Sequence, residues 1–370
     1  MGGLLLFAVS AGSAFAQVES VERGGEQVET VAKAKQGGDF VVAPIPMLNP
    51  TLGLGLILGA GYLFHIDPDS YSSVIAAGGM YADGGDTALA VGASMNFHGN
   101  DWKILGGLAS FDVDVDYYGI GNGAGDQDRS IGLNQSGWAG GVKVMRRVGG
   151  AWYLGLGYGY AKLDSVFDLG GLLPPEFPVE IPGIPITSSV AVVGLITERD
   201  SRDNQFNPYC GAFFHAALAT ADEAIGSDFS FSTFRIEYNR YWALKPERLI
   251  LAARGSGCAV PGDAPFYALC KIGVFPDLRG YVAGRYRDKT MLSGQAEIRW
   301  RFARRWGVVA FAGAGAVAPA LSDYRIKDLL PSAGVGFRFM LSPENRLNIG
   351  IDYALGNGSD GIYFYVGESF

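Results

Sequence analysis

The sequence is short of charge, of cysteine and of long apolar runs. Only 18% of its 370 residues are charged, and with a net charge of −8 and no basic tract it is not expected to bind nucleic acid. Three cysteines are too few for a disulfide framework. The longest apolar stretches, 51–64 and 308–321, are shorter than the roughly 18 residues that a membrane-spanning helix needs. A disulfide-rich domain and a helical membrane protein are therefore both excluded.

Glycine and aromatic residues, in contrast, are abundant. The chain has 55 glycines, 12% aromatic residues and a mean hydropathy of +0.16. This apolar content excludes intrinsic disorder, and the glycines lack the period of three that collagen requires.

The N-terminus is predicted to be a targeting segment. An apolar run, GLLLFAV, is followed by small residues that end in Ala14-Phe15-Ala16, which predicts a signal peptide over residues 1–16. No basic residue precedes the run, and the alternative is a short buried strand. Residues 17–39 are polar and predict a flexible periplasmic leader, so the folded domain is expected to span 40–370.

From residue 40 onward the hydrophobic pattern has a period of two. In 295–302 and 347–355, polar and apolar residues alternate, which is typical of strands with one polar and one apolar face. A soluble sandwich could share this pattern. Strands of about ten residues favour a transmembrane barrel, and so do aromatic residues near strand ends, namely Trp242, Trp300, Tyr353 and Phe370. The predicted fold is an all-β transmembrane antiparallel β-barrel.

Fifteen strands can be counted, and even numbers are usual in bacterial barrels. We expect a sixteenth within 165–187, a first strand at 52–64 and a last strand at 361–370. The connections at 83–86, 245–248, 303–306 and 342–345 are tight turns, which we assign to the periplasmic side. The connections at 258–289 and 318–331 are long and are assigned to the outside.

The longest loop carries the tetrapeptide Leu278-Arg279-Gly280-Tyr281, and the strand after it carries Glu297. Together with segments 50–62, 116–122, 198–211 and 332–339 and the terminal Phe370, these residues resemble the barrel of the BamA/TamA-type superfamily, the bacterial surface antigen domain. The resemblance covers about residues 40–370. It implies that the extracellular loop folds into the lumen and that Arg279 pairs with Glu297.

The sequence departs from the family pattern in two ways. Gly313 stands where the family carries an acidic residue, so Glu297 is expected to hold Arg279 alone or with Asp352 or Glu237. Relatives carry periplasmic POTRA domains, whereas this chain resembles a short member without them. Further inward charges are expected at four positions: Glu237, Arg299, Arg338 and Asp352.

Other constellations are weaker. Cys258 and Cys270 are expected to form a disulfide that closes the long loop. Asp112, Asp114 and Asp116 share one strand face, which could be a solvated lumen wall or a calcium site. No serine motif accompanies the three histidines, so we expect no enzymatic activity, no metal and no cofactor.

The resemblance implies a barrel of the bacterial outer membrane that assists the insertion or translocation of proteins. The mechanism would use a weak seam between the first and last strands. Four glycines weaken pairing in the expected first strand, Gly53, Gly55, Gly59 and Gly61, and the closing strand supplies Phe364, Gly367 and Phe370. Expected partners are outer-membrane lipid and unfolded outer-membrane proteins or a periplasmic partner. The alternatives are a lipid or surface-component barrel with a separate periplasmic partner, and a small-solute channel or surface antigen.

Overall fold

The computed structural model describes residues 39–168, 184–274, 276–343 and 346–370. The predicted signal peptide and residues 17–38 of the predicted leader lie outside these ranges. Eighteen strands are present in the described residues: β1 (Asp39–Asn49), β2 (Gly53–Phe64), β3 (Ser73–Ala82), β4 (Thr87–Phe97), β5 (Trp102–Tyr117), β6 (Ile131–Gly149), β7 (Trp152–Asp168), β8 (Ile184–Asp200), β9 (Gly211–Ala221), β10 (Phe231–Lys245), β11 (Leu249–Ala259), β12 (Cys270–Lys271), β13 (Arg287–Asp288), β14 (Thr290–Arg301), β15 (Trp306–Ala318), β16 (Leu330–Ser342), β17 (Leu347–Gly356) and β18 (Ser359–Val366).

Sixteen of these strands form one closed antiparallel barrel, which confirms the predicted fold class and strand number. Each barrel strand pairs with its sequence neighbours, and β18 closes on β1. The two-residue strands β12 and β13 form a separate ladder within the long loop. A short helix, α1 (Asn122–Asp126), follows β5. Within the described ranges, no helix is long and apolar enough to cross a membrane.

The sixteen barrel strands, called here the wall, expose apolar side chains on the outer face and bury polar side chains on the inner face, the reverse of a soluble protein. On β2, Leu54, Leu56 and Leu58 point outward and are at least half exposed. Trp242, Trp300 and Tyr353 also lie on this outer face, as the pattern predicted. The inner face carries buried polar and charged side chains from most of the wall, among them Gln135, Lys143, Glu198, His215, Glu237, Arg254, Glu297 and Asp352. Since exposed apolar area on this scale is unusual in water, the outer face requires an apolar environment.

The connections differ at the two ends of the barrel. The end that contains the long connections after β5, β11 and β15 is called here the loop end. The opposite end, where Asp39 and Phe370 lie, is called the terminal end. The turns at 245–248, 303–306 and 342–345 lie at the terminal end, but the turn at 83–86 lies at the loop end, contrary to the prediction.

The cause of that error is the position of the sixteenth strand. It is β1, at 39–49, and not a strand within 165–187, where residues 165–168 continue β7 and 184–187 begin β8. Because neighbouring strands run in opposite directions, a sixteenth strand placed after residue 165 reverses the predicted direction of every strand before that residue. The turn at 83–86 was therefore assigned to the wrong end. Strand β1 begins at Asp39, one residue before the predicted start of the folded domain.

The sequence predicted a seam at 52–64, but that segment is the second strand. Gly53, Gly55, Gly59 and Gly61 lie on β2, which is paired with β1 on one side and β3 on the other. These glycines therefore do not border the closing joint. Asp112, Asp114 and Asp116 are exposed on β5 and do not line the lumen; Asn134 donates hydrogen bonds to the first two at 2.8 and 3.0 Å.

Candidate functional site

The tetrapeptide Leu278–Tyr281, called here the loop latch, lies between β12 and β13 and contacts the inner face of the wall. Arg279 is only 1% exposed. Its Nη2 atom donates to Glu297 Oε2 on β14 at 2.7 Å, and Nη1 donates to Asp352 on β17. Nε donates to Gln295 Oε1 at 3.2 Å, while the guanidinium carbon lies 3.5 Å from the centre of the Phe311 ring. A buried arginine requires such paired carboxylates because an unpaired charge is costly away from water.

Gly280 and Tyr281 fix the backbone on either side of this contact. Gly280 has a φ of +100°, and a Cβ there would lie 2.8 Å from the backbone of Leu355, so only glycine fits. Its N–H donates to the Tyr363 hydroxyl on β18 at 2.8 Å. Tyr281 is fully buried and donates to the Pro331 carbonyl at 2.6 Å. The loop latch is thus attached to β16 and β18 as well as to β14 and β17.

Asp352, and not a residue at position 313, is the second carboxylate that accepts from Arg279. At Gly313 a Cβ would lie 2.5 Å from the Gly294 carbonyl, so the backbone leaves no room for a side chain. Asp352 instead reaches Arg279 from β17 and also accepts from Arg338 and Tyr365. The sequence left Glu237 open as another partner, but Glu237 pairs with Arg254 at 2.9 Å.

The Arg279 contacts belong to a larger group, called here the arginine–carboxylate cluster. It contains three arginines and three carboxylates, namely Arg279, Arg299, Arg338, Glu297, Asp352 and Glu368. Arg299 Nε donates to Glu297 Oε1 at 2.6 Å, and Arg338 Nε donates to Glu368 Oε2 at 2.8 Å. Equal numbers of opposite charges make the cluster neutral, which is the condition under which buried ions are tolerated.

The last four residues join this cluster and do not continue the wall. Strand β18 ends at Val366, and Gly367 has a φ of +95°, which turns the chain inward. The main-chain oxygen of Phe370 accepts from Arg299 Nη2 at 2.6 Å, and the ring packs against Tyr241 and Ala252. Phe370 is 9% exposed, so it neither closes the wall nor belongs to the outer aromatic belt, contrary to the prediction.

The loop is attached to the wall a second time by Asp277, two residues before Arg279. Here the loop supplies the carboxylate and the wall supplies the arginine. Asp277 Oδ1 accepts from Arg254 of β11 at 2.6 and 3.1 Å. Arg254 also pairs with Glu237 and donates to Asn239 Oδ1 at 3.0 Å. Sequence reasoning missed Asp277 because its partner lies 23 residues away; the inward position of Arg254 on β11 was the available signal.

The long loop is also joined covalently to the wall. Cys258 of β11 and Cys270 of β12 form a disulfide, while Cys210 is free and exposed. In the described part of the chain, no group of three potential ligand side chains could hold a metal ion.

The turn after β8 supports the tail from the terminal end. Asp200 accepts a forked pair from Arg202, and Asp203 Oδ2 accepts from Arg346 at 2.6 Å. Burial raises the pKa of Asp203, but the hydrogen bonds from Arg346 and from the N–H groups of Cys210 and Tyr209 outweigh it and hold the pKa below 3.8. The Phe206 carbonyl accepts from the Glu368 N–H at 3.2 Å.

The closing joint of the barrel has the fewest aligned residue pairs of any joint in the wall. Strands β1 and β18 share a single aligned residue pair, Leu48 with Phe364. Every other joint of the wall has at least eight such pairs, as between β3 and β4 or between β17 and β18. The strands that meet at the closing joint are therefore 39–49 and 359–366, and not 52–64 with 361–370 as predicted.

Comparison with known proteins supports this architecture. The sequence profile described as the Omp85 superfamily domain matches residues 87–370. Similar solved structures include BamA from Haemophilus ducreyi lacking POTRA domains 1–3, with 15% identity, a TM-score of 0.60, and coverage of 90% of this chain and 71% of that chain. CdiB from Acinetobacter baumannii is 11% identical with a TM-score of 0.57, and the match covers 91% of this chain and 61% of that chain. CdiB from Escherichia coli is 10% identical with a TM-score of 0.58, and the match covers 95% of this chain and 71% of that chain.

At these identities the likeness to solved structures shows the fold alone. No curated protein sequence matches the chain.

Proposed function

The chain belongs to the Omp85 superfamily, and on that premise we propose that it is a bacterial outer-membrane barrel that assists proteins to insert into, or cross, that membrane. The observation that carries the proposal is the closing joint, where β1 and β18 share one aligned pair. The proposed activity involves no covalent chemistry and no cofactor.

We also propose that residues 1–16 direct export, which mass spectrometry of the mature N-terminus would test.

The outer face supports the membrane location. Apolar side chains such as Leu156 and Val335 are each 61% exposed on that face, where water would make them unfavourable. A bilayer removes this cost, and a closed barrel leaves few backbone groups unpaired within it.

Two features keep the closing joint weak. Pro44 and Pro46 lie on β1 at alternate positions, so the N–H groups that they lack would point to the same neighbouring strand. A strand of this kind fits a full partner on one side only, and β1 has eleven aligned pairs with β2. On the other side of the joint, the inward turn at Gly367 removes the end of the chain from pairing with β1.

A weakly paired edge can accept an additional strand. Unpaired N–H and C=O groups on β1 and β18 would form hydrogen bonds with an incoming strand, which would enter the bilayer beside an existing wall. We propose that the loop latch positions β18 for this step, because Gly280 donates to the Tyr363 hydroxyl of that strand. Asp352 of β17, which accepts from Arg279 of the latch, also accepts from the Tyr365 hydroxyl of β18.

The experiment is to lock the joint and measure folding of a client. Cysteines at Leu48 and Phe364, both on the outer face and aligned across the joint, would be cross-linked in a Cys210→Ser background. The matched control is the equivalent pair at Tyr353 and Ile362, which join β17 to β18. Each folded barrel is placed in liposomes, a urea-unfolded outer-membrane protein is added, and its folded fraction is followed by gel mobility.

We expect the unlocked barrel and the control to accelerate folding, and the Leu48–Phe364 cross-link to abolish the acceleration. Acceleration that survives this cross-link would contradict the use of the seam. No acceleration over empty liposomes would favour a lipid or surface-component barrel that requires a separate periplasmic partner. An open solute channel is disfavoured, because the loop latch and the tail occupy the inner face of the wall on β14–β18.

A further inference from the structure

A second group of basic side chains lies at the loop end, apart from the arginine–carboxylate cluster. Lys271 of β12 and Arg287 of β13 are directly opposite each other in the two-residue ladder. They are only 7% and 3% exposed. Like charges that face each other across an antiparallel pair are destabilising, and burial increases the cost of each. The ladder therefore places two positive charges where the protein gains nothing from their contact.

The ladder is oriented by the disulfide next to it. Successive side chains of a strand point to opposite faces, so Lys271 and Arg287 point away from the face on which Cys270 joins β11. The Arg287 guanidinium carbon lies 4.8 Å from the centre of the Tyr117 ring on β5, well around the barrel from β11. The two cations thus project from the β11 wall into the lumen.

A third cation completes this basic group. Arg235 on β10 is aligned with Cys258, so it lies beside the disulfide that carries Lys271. Lys271 and Arg287 also approach the same glycine: a Cβ at Gly284 would lie 3.5 Å from Lys271 Cδ and 2.7 Å from Arg287 Nη2. Burial, together with the charges of Arg287 and Arg235, holds the pKa of Lys271 well below its usual value.

Arg287 has no anionic partner within the described ranges. Its Nε donates to the Gly284 carbonyl at 2.9 Å, and its Nη atoms donate to no described protein group. Neither Nη atom is among the fully enclosed donors that lack a partner, a group that includes Arg299 Nη1. The adjacent acid does not help, because Asp288 points to the other face of the ladder and accepts from the Lys289 N–H at 2.8 Å.

The neighbouring Arg285, in contrast, has acceptors for most of its donor groups. Its Nε and Nη1 atoms donate to the Gly125 and Gly358 carbonyls, each at 3.0 Å, and Nη2 lies 3.3 Å from Asp128. Arg287 is more buried than an ordinary surface arginine and has one of its five N–H donors engaged. The missing element at Arg287 is an acceptor with negative charge.

We propose that Arg287, Lys271 and Arg235 form a binding site for a phosphate group at the loop end of the barrel. A phosphate dianion offsets most of the charge of three cations, whereas one carboxylate offsets a single charge. Its oxygens match the fork of a guanidinium, as at many phosphate sites. The phosphate can be free or can belong to a lipid headgroup, since both present the same oxygens to this site.

The experiment measures phosphate binding to the folded full chain in detergent micelles. Inorganic phosphate is titrated by calorimetry and by thermal unfolding, with sodium chloride of equal ionic strength as the reference and acetate as the monocarboxylate. We expect saturable binding of one phosphate and a rise in Tm of a few degrees, with at least a tenfold weaker effect of acetate. A parallel arm compares a phosphorylated outer-leaflet glycolipid with its dephosphorylated form.

Two variants make the result decisive. Arg287→Gln removes one of the facing cations, so we expect a Tm at or above that of the wild type without phosphate, and at least a tenfold loss of phosphate affinity. The matched control Arg285→Gln should lower the Tm and keep phosphate affinity within about twofold. Lys271→Met serves as a second test if the Arg287 variant fails to fold.

Binding of inorganic phosphate that is lost in Arg287→Gln supports the site with a free anion as ligand. A response only to the phosphorylated glycolipid, lost in the same variant, supports a lipid headgroup as the source. The proposal is overturned if neither form of phosphate binds saturably, or if Arg287→Gln and Lys271→Met bind phosphate as the wild type does.

Discussion

Arg279 and Arg287 lie eight residues apart in one loop and are buried to almost the same extent, yet their surroundings are opposite. Arg279 donates to two carboxylates and one glutamine, and stacks on Phe311. Arg287 donates to one backbone carbonyl and stacks on Tyr117. The number of negative charges nearby, and not the depth of burial, therefore distinguishes the two sites.

The comparison suggests different reasons for burying an arginine. In the arginine–carboxylate cluster, the cost of removing charges from water is compensated by an equal number of opposite charges. In the basic group, two cations face each other, and the disulfide at Cys270 holds their ladder against the wall. The first arrangement is part of the fold, whereas in the second the Arg287 guanidinium donates to no carboxylate of the described residues.

The largest expected effect comes from exchanging the two arginines separately for glutamine. Arg279→Gln leaves Glu297 and Asp352 with less positive charge to offset theirs, and removal of one partner from a buried ion pair costs about 3–5 kcal/mol. Arg287→Gln relieves repulsion and should cost nothing. The free energy of unfolding of each variant, measured in urea with the barrel in micelles, checks the difference.

A double variant sharpens this first test. Arg279→Gln combined with Asp352→Asn removes one charge of each sign, so its loss should be smaller than the sum of the single losses by about 1–3 kcal/mol. Equal stability of Arg279→Gln and the wild type would contradict the role assigned to the cluster.

The second effect concerns the disulfide. Replacing Cys258 and Cys270 by serine opens a loop with a sequence separation of 12, which should lower the free energy of unfolding by about 2–3 kcal/mol. The same change lets Lys271 and Arg287 move apart, so phosphate affinity should fall in parallel. Urea unfolding and calorimetry measure the two quantities, and Cys210→Ser, at an exposed free cysteine, is the control.

The third effect tests the attachment in which Asp277 of the loop pairs with Arg254 of the wall. Asp277→Asn weakens the contact with Arg254, but Arg254 keeps Glu237 and Asn239, so the expected loss is only about 1 kcal/mol. Asp323→Asn, an exposed acid of another loop, is the control for removal of a negative charge. A loss as large as that of Arg279→Gln would show that the two attachments are equivalent.

Much of the wall was predictable because its strands alternate clearly. The pattern found fifteen strands near their observed positions, but it missed β1. In DFVVAPIPMLN, apolar residues occupy both faces and two prolines interrupt the run, so no period of two can be read. The prolines are tolerated because the neighbour on one side, β18, is paired at a single position.

The site was predictable only where a motif marked it. Arg279, Glu297 and Asp352 could be named from the loop tetrapeptide and from inward strand positions. The inward tail could not, because Phe370 meets Arg299 and Tyr241 only after the barrel closes. The basic group was likewise hidden, since the pairing of Lys271 with Arg287 depends on how the loop folds back on itself.

The smallest effect is expected at an ion pair outside the lumen, Asp203 with Arg346, which tests whether burial sets the scale of the other losses. The pKa of Asp203 is held below 3.8, so the pair stabilises the folded chain above that pH, and the contribution is lost as the pH falls through the folded pKa. Because both side chains are about a quarter to a third exposed, Arg346→Gln should cost only a few tenths of a kcal/mol at pH 7. Below the folded-state pKa of Asp203 the cost should vanish, since protonated Asp203 no longer attracts the guanidinium. Urea midpoints of the two chains at pH 7 and at low pH check this, and a cost above about 2 kcal/mol at pH 7 would show that exposure does not separate this pair from the buried cluster.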